Sequence, residues 1–146
     1  MKIPNILKKY RNLISKLGAL TLAILIYPLF VMIYTVSHVY QSDLEGGGNG
    51  PLDAYRHTLA SAVVTYTLGE WAVNFTSYFM ESKKTATGAM DRHNNHVGAK
   101  IGSHAKSFKD IEPMVHKHVL EGACCTSKKD QTTWLPKEIW RKRILW

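Results

Sequence analysis

The chain has 146 residues, of which 45% are hydrophobic and 21% charged, and its formal net charge at pH 7 is +8. This length suits one domain rather than several. The basic excess lies at the two ends, because residues 39–127 carry 8 basic and 9 acidic side chains. A near-neutral middle argues against a nucleic-acid-binding protein, which would present a basic surface. We therefore expect no nucleic-acid partner.

A basic segment and then an apolar stretch form the amino-terminal quarter of the chain. Residues 1–16 contain five basic side chains and no acidic one. Residues 17–37 are dominated by apolar side chains, and a helix of this length extends about 31 Å, enough for a bilayer's hydrocarbon core of ~30 Å. We predict a transmembrane helix over residues 17–38. A cleaved signal peptide is the alternative, but its apolar region is shorter and a small-residue cleavage site follows it.

The distribution of charge predicts the orientation of this helix. All 11 acidic side chains come after the apolar stretch, whereas the segment before it is purely basic. Basic segments remain on the cytoplasmic side of a membrane. We therefore expect a single-pass protein of the cytoplasmic membrane, with its amino terminus in the cytoplasm and its carboxyl-terminal domain outside, in the periplasm. Membrane lipids are then its first expected partners.

Residues 39–50 are polar and end in a Gly-Gly-Gly-Asn-Gly run. Such a composition cannot by itself hold a helix or a strand, so it predicts a flexible linker.

Three helices are predicted in the domain that follows, residues 51–125. The first begins at Pro51, where the fixed φ of proline suits the first helical turn, and it bends at Gly69. The second occupies residues 91–106 and the third residues 110–121, as judged from apolar periodicity and helix-end signals. The predicted fold class is all-α, with one amino-terminal transmembrane helix followed by a small helical domain.

Two glycines indicate how these helices pack. Gly98 and Gly102 are four residues apart, so they lie on one face of the second helix. Glycine costs a helix ~1 kcal/mol relative to alanine, and a pair on one face is typical of a close approach by another backbone. We expect this face to pack against Ala60 and Ser61 of the first helix.

The carboxyl-terminal tail, residues 126–146, interleaves basic and aromatic side chains. This pattern is typical of a short helix at a bilayer interface, and a solvated terminal helix is the alternative. Before it, Cys124 and Cys125 are adjacent in sequence, which makes a bond between them strained. We expect two small buried residues, with an intermolecular disulfide as the alternative. Because only about 100 residues form the domain, membrane contact, a metal or self-association as a homo-oligomer is expected to help stabilise it.

The polar residues with catalytic chemistry lie in two short stretches. Asp53 and His57 are one helical turn apart, so the carboxylate can orient the imidazole and leave its second nitrogen available as a general base or metal ligand. In the second stretch His93 is two residues from Asp91, so both face one point only if the helix starts irregularly. The candidate catalytic residues are His57, His93, Asp53 and Asp91. The candidate substrate-binding residues are Arg56, Asn94 and Asn95, which could stabilise an oxyanion or phosphate. If a divalent metal is bound, His57, His93 and Asp91 would hold it.

Two motifs resemble those of a known family. Asp-Ala-Tyr-Arg-His at residues 53–57 and Met-Asp-Arg-His-Asn-Asn-His-Val-Gly at residues 90–98 are similar to an uncharacterised bacterial family of helical domains. That family carries Asp-Ala-(Phe/Tyr)-Arg-His, a later His-Glu pair and Met-Asp-x-His-Asn-Asn-x-x-Gly, and its members occur in secreted and polymorphic-toxin-like proteins. The resemblance covers about residues 50–103. It implies that Arg56, His57, Asp91, His93, Asn94 and Asn95 belong to one site.

The chain departs from that family at one position, since Met80-Glu81 stands where relatives have His-Glu. Glu81 is therefore a further candidate site residue. Two functions remain open. The first is an envelope hydrolase that acts on phospholipid or, next, on peptidoglycan through a His/Asp/Asn site. The alternative, which the methionine favours, is a non-enzymatic immunity, exclusion or assembly factor whose polar cluster specifies helix packing.

Overall fold

The computed structural model describes residues 5–80 and 84–142. The all-α prediction is confirmed: the described residues form five α-helices, two 3₁₀ turns and one pair of two-residue strands. The helices are α1 (Asn5–Gln41), α2 (Pro51–Leu68), α3 (Glu70–Met80), α4 (Ala86–His104) and α5 (Ile111–Leu120); the 3₁₀ turns are Phe108–Asp110 and Lys137–Ile139; and the parallel strands are β1 (Ala123–Cys124) and β2 (Thr133–Trp134).

The residues up to Ile33 form one compact unit, and those from Tyr34 onward form another. In α1, the 30 residues Asn12–Gln41 are long and apolar enough to cross a membrane, and this is the one such helix among the described residues. The length and composition of α1 support a membrane span, and a signal sequence near an amino terminus meets the same criteria. The described part of the chain therefore has one helix that could span a membrane, at the predicted place.

Close packing of α4 on α2 organises the second unit. A Cβ added to Gly98 would lie 2.2 Å from the carbonyl oxygen of Thr58, and one on Gly102 would lie 2.3 Å from that of Ala62. No side chain fits at these distances, so the glycines allow the two backbones to approach. The predicted contact between this face and the first helix is confirmed, but the residues nearest the glycines are Thr58, Ser61 and Ala62 rather than Ala60 and Ser61. The most deeply buried apolar side chains of this unit include Leu59, Val63, Val97, Ile111, Val115 and Val119.

Local signals account for the helix ends. Pro51 is the first residue of α2, and Gly69 ends that helix with φ +95°, which other residues rarely adopt. The first predicted helix, which was expected to bend at Gly69, is therefore two helices, α2 and α3. Helix α4 begins at Ala86, five residues before the predicted start, because Thr85 caps it: the Thr85 hydroxyl accepts a hydrogen bond from the Gly88 amide at 3.0 Å. Helix α5 matches its predicted range closely.

The glycine-rich segment differs from the flexible linker that its composition predicts. The Gly48 amide donates to the Arg141 carbonyl at 3.0 Å, and the Arg141 amide donates back at 2.8 Å. The Leu135 amide donates to the Asn49 carbonyl at 2.9 Å. The segment is therefore folded against residues 133–142, which supply backbone partners that its own composition cannot show.

The carboxyl-terminal segment is also not the helix that its pattern predicts. Residues 126–142 contain strand β2 and one 3₁₀ turn, and residues 143–146 lie outside the described part. The indole of Trp140 packs on Gly46 and Gly50. At least this aromatic side chain is therefore used in packing within the domain.

The prediction of buried cysteines is wrong. Cys124 and Cys125 are both exposed, and the Cys124 thiol donates a hydrogen bond to Cys125 Sγ at 3.4 Å. This hydrogen bond raises the pKa of the Cys124 thiol, because it stabilises the protonated form. Strand β1 has only two residues, and Cys125 follows it with φ +53°, so neither side chain enters the core.

Candidate functional site

Three titratable side chains meet between the amino-terminal turns of α2 and the second turn of α4. His57 Nε2 lies 3.6 Å from Asp53 Oδ1 and 3.5 Å from Asp91 Oδ1. One ligand atom from each residue lies within 4.8 Å of the other two. The carboxylates are nearly buried, with 5% and 10% of their side chains exposed, whereas 17% of the His57 side chain is exposed. We call Asp53, His57 and Asp91 the polar cluster.

The glycine-rich loop fixes the first carboxylate of the cluster. Asp53 lies in the first turn of α2, where free backbone amides favour a negative charge. Its Oδ2 accepts a hydrogen bond from the Asn49 amide at 2.6 Å, and its own amide donates to the Gly46 carbonyl at 3.2 Å. Asn49 adopts φ +67°, a conformation that asparagine tolerates better than most residues. The turn of this loop therefore determines where the carboxylate points.

Arg56 completes the support of Asp53. Its side chain is buried, Nη2 pairs with Asp53 Oδ1, and Nη1 donates to the Gly47 carbonyl at 3.2 Å. A guanidinium that is held by the loop on one side and by the carboxylate on the other neutralises charge inside the domain. This arrangement gives Arg56 a positioning role next to the cluster.

His93 lies apart from the cluster, although only one residue separates it from Asp91. Residues two apart on a regular helix point about 160° from each other, and α4 is already regular here because it starts at Ala86. His93 Nε2 lies 2.8 Å from the Gln131 carbonyl oxygen, in the carboxyl-terminal segment. The irregular helix start that would join His93 to Asp91 does not occur.

Two adjacent asparagines have their amides engaged within the protein. Asn94 is completely buried; its Nδ2 donates to the Thr133 carbonyl at 2.8 Å, and its Oδ1 accepts from the Thr133 amide at 2.9 Å. Asn95 accepts from the Ser61 hydroxyl and donates to the Ser77 hydroxyl, each at 2.9 Å. Asn94 thus joins α4 to β2, and Asn95 joins α4 to α2 and α3. The geometry favours packing roles for both.

The structure therefore brings together Asp53, Arg56, His57 and Asp91 of the predicted site residues. His93, Asn94 and Asn95 face other segments, and Glu81 lies outside the described residues. Two residues that were not predicted also support the site: the Asn49 amide holds Asp53, and Thr133 pairs with Asn94. The Asn-Gly pair in the loop signals a tight turn, but nothing local marks Thr133.

A second polar arrangement was also missed. A cleft of about 530 Å³ is lined by residues that include His38, Tyr55, Glu112 and His116. The Tyr55 hydroxyl donates to Glu112 Oε1 at 2.8 Å. Burial, together with this bond to a carboxylate, raises the pKa of Tyr55 far above its usual value of 10.0. The tyrosine therefore stays protonated and ties α2 to α5.

The polar cluster has the donor types and spacing of a divalent-metal site. Imidazole nitrogen and carboxylate oxygens bind zinc at ~2.0–2.2 Å, so ligands around a tetrahedral ion are about 3.4 Å apart. The separations of 3.5 and 3.6 Å from His57 Nε2 to the two carboxylate oxygens are close to that value. The same contacts could instead orient His57 as a general base.

Fold and site together define a small all-α domain with a polar cluster between its two central helices, preceded by a helix that could span a membrane. The chain belongs to the family of the domain of unknown function DUF6973, whose model matches residues 20–126. No curated protein and no solved structure matches the chain. The matched range contains the whole polar cluster, so the cluster lies in the part of the chain that defines the family.

Proposed function

We propose that this protein is a membrane-anchored hydrolase that uses the polar cluster, with a divalent metal ion, on the outer face of the cytoplasmic membrane. One observation carries the proposal: His57 Nε2 lies 3.5 Å and 3.6 Å from carboxylate oxygens of two different helices. Such a mixed nitrogen and oxygen set is the usual protein contribution to hydrolytic metal sites. The apolar helix α1 supports the anchor, and the basic segment before it supports the orientation.

Each cluster residue has a defined part in this proposal. Asp53, His57 and Asp91 would hold the ion, which when bound supplies a water molecule of lowered pKa as the nucleophile. Asn49 and Arg56 fix the Asp53 carboxylate, so that its position does not depend on the ion. His57 retains the largest exposed fraction of the three side chains, 17%, and marks the side from which substrate would enter.

A phospholipid ester or phosphodiester is the substrate class that we propose first, and peptidoglycan is second. The reason is location, because a domain joined to a membrane helix meets lipid headgroups at high local concentration. The predicted substrate-binding roles of Arg56, Asn94 and Asn95 do not enter the proposal. The hydrogen bonds of these side chains run to Gly47, Asp53, Ser61, Ser77 and Thr133.

A non-enzymatic immunity, exclusion or assembly factor is the second candidate, and the same hydrogen bonds favour it. Both oxygens of Asp53 already contact the domain itself, one at the Asn49 amide and one at Arg56. A buried polar network of this kind can have a purely structural role, in which it specifies how helices pack. The two candidates differ in whether His57 binds a ligand or maintains the fold.

Metal binding by the full chain in detergent micelles distinguishes the candidates. The variants are His57→Ala and Asp91→Asn, and the matched control is His96→Ala, which changes an exposed histidine of the same helix as Asp91. We expect the wild type and the control to bind one equivalent of Zn²⁺ or Mn²⁺, and the two cluster variants to bind at least tenfold more weakly while remaining folded. Calorimetric titration measures the affinity, and thermal unfolding reports the fold.

If the wild type binds neither ion and both cluster variants unfold at lower temperature than His96→Ala, the cluster is a structural network and the hydrolase proposal is withdrawn. If binding is observed, hydrolysis of phospholipid vesicles and of peptidoglycan by the metal-loaded protein then decides the substrate class.

A further inference from the structure

Helix α3 carries an aromatic surface that the domain leaves uncovered. Trp71, Phe75, Tyr78 and Phe79 are 61–69% exposed. Their spacing of four, three and one residues places them on one face of the helix. Val73, on the opposite side of the helix, is buried, and so is Ala72. We call these four aromatic residues the α3 face.

This arrangement is the reverse of a helix on a soluble protein, whose outer face is charged. The one charged residue of α3 is Glu70, at its start. Aromatic side chains present ~150–250 Å² each, so the exposed share of the four amounts to roughly 400–600 Å². A patch of this size equals the largest that monomeric proteins usually expose, and such patches often have a function.

A chain of aromatic contacts connects this region to the end of α1. The ring of Phe108 lies 5.1 Å from that of Tyr34, in the last turns of α1, and 6.0 Å from that of Tyr66, near the end of α2. Tyr66 and Leu68 are themselves partly exposed, and Gly69 then leads directly into α3. Tyr66, five residues before the start of the α3 face, is therefore linked through Phe108 to the last turns of α1.

We propose that the α3 face lies in the headgroup region of the bilayer that α1 anchors, and so forms a second membrane contact. Trp, Tyr and Phe are the side chains that this interface prefers, because their rings are apolar and Trp and Tyr keep a polar tip hydrated. None of the four residues of the face is charged; the exposed Glu70 lies at the start of the helix, and Lys84 is exposed beyond its end. The proposal rests on the membrane anchorage in the proposed function, but not on its hydrolytic chemistry.

This contact would fix the position of the polar cluster relative to the bilayer. Helix α3 is tied to α4 through the hydrogen bond from Asn95 to Ser77, four residues along α4 from Asp91. A domain held by α1 alone could tilt about the last turn of that helix, whereas two contacts restrict the tilt. Lipid headgroups would then meet the cluster in a defined orientation.

Quenching of tryptophan fluorescence by brominated lipids tests the proposal. The full chain is reconstituted into vesicles of phosphatidylcholine and phosphatidylglycerol with brominated or ordinary acyl chains, for the wild type, Trp71→Phe and the control Trp134→Phe. Trp134 lies in β2 and is not part of the α3 face. The emission of each tryptophan is obtained as the difference between the wild type and the variant that lacks it. We expect brominated lipid to quench the Trp71 emission at least twofold more than the Trp134 emission. Equal or weaker quenching of the Trp71 emission would overturn the proposal.

Charge insertion provides an independent measurement. Phe75→Glu with Phe79→Glu should reduce lipid quenching of Trp71 at least twofold, whereas Leu120→Glu, at an exposed leucine of α5, should leave it unchanged. Quenching that is unaffected by the double change contradicts membrane contact. If neither brominated lipid nor acrylamide quenches Trp71, a second copy or another protein covers the face. This result also overturns the proposal. The α3 variants should retain metal binding, so failure of this proposal is distinguishable from failure of the polar cluster.

Discussion

The single buried amide of Asn94 joins the helical part of the domain to its carboxyl-terminal segment. By pairing with both the amide and the carbonyl of Thr133, it acts as a neighbouring strand would. The Thr58 hydroxyl donates to the Asn94 carbonyl at 3.4 Å, so the same residue also contacts α2. Asn94 is therefore in place to stabilise the fold whether or not the domain is an enzyme.

We predict that Asn94→Ala destabilises the protein by about 2–4 kcal/mol, because it leaves a buried donor and a buried acceptor of Thr133 without partners. Thermal and denaturant unfolding in detergent measures this change. Asn74→Ala is the matched control, since Asn74 is exposed on α3 and its loss should cost at most ~0.5 kcal/mol. Equal stability of the two variants would show that the Thr133 contacts contribute nothing.

The protonation of Tyr55 makes a prediction about pH. Its pKa is raised in the folded state, so the bound proton stabilises the fold fully below 10.0, the pKa of an ordinary tyrosine, and the stabilisation is lost as the pH rises above that value. Tyr55→Phe, which removes the hydrogen bond to Glu112, should be less stable than the wild type at neutral pH. The difference in melting temperature should narrow above pH 10.0, and a constant difference would contradict this account.

At the scale of elements, two helices determine whether the polar cluster exists. Asp53 and His57 come from α2 and Asp91 from α4, so their distances depend on how closely these helices pack. The absence of a side chain at Gly98 and Gly102 provides that closeness. A shift of the helices by even the width of a methyl group would separate His57 from Asp91.

We predict that Gly98→Ala destabilises the domain by about 3 kcal/mol or more, because overpacking usually costs 1–3 kcal/mol and here the new Cβ would collide with the Thr58 carbonyl oxygen at 2.2 Å. Metal affinity should fall with it. Gly18→Ala is the control, since nothing lies within 4 Å of that position and alanine favours a helix. Melting temperature and metal titration of both variants measure the effect, and an unchanged affinity in a folded Gly98→Ala protein would separate the cluster from helix packing.

At the scale of the whole molecule, the carboxyl-terminal segment packs against the glycine-rich loop, and this loop holds Asp53. The contacts between the two segments include the Gly48 and Arg141 pair, the bond from the Leu135 amide to Asn49, and the bond from the Asn49 side-chain amide to the Ile139 carbonyl at 3.1 Å. Residues about 90 positions apart in sequence thus meet next to the polar cluster. The tail that follows the helices is therefore part of the support of the site.

We predict that deletion of residues 135–146 frees the loop but preserves the helical core, because β2 and its bonds to Asn94 remain. Hydrogen exchange should show a slowly exchanging Gly48 amide in the full chain and a rapidly exchanging one after truncation, whereas amides in the middle of α2 stay protected. A Gly48 amide that already exchanges rapidly in the full chain would contradict the packed loop.

The elements of this fold were predictable because their signals are local. Pro51 at a helix start and the glycines at positions 98 and 102 each act on their own turn of the chain. Gly69 was identified as a bend, although the helix ends there and a new one begins. The apolar composition of residues 17–37 likewise identifies a helix that could span a membrane without any knowledge of the rest. These features depend on a few neighbouring residues, so sequence alone determined them.

Which polar side chains meet was decided by the tertiary structure. Asp91, His93, Asn94 and Asn95 are close in sequence, yet successive helical residues point about 100° apart, so each faces a different partner. Only Asp91 reaches the polar cluster, while the others contact Gln131, Thr133 and the serines of α2 and α3. The glycine-rich run is ordered by backbone hydrogen bonds to a distant segment, such as the bond from the Arg141 amide. Because backbone groups are the same in every residue, the composition of neither segment could predict this pairing.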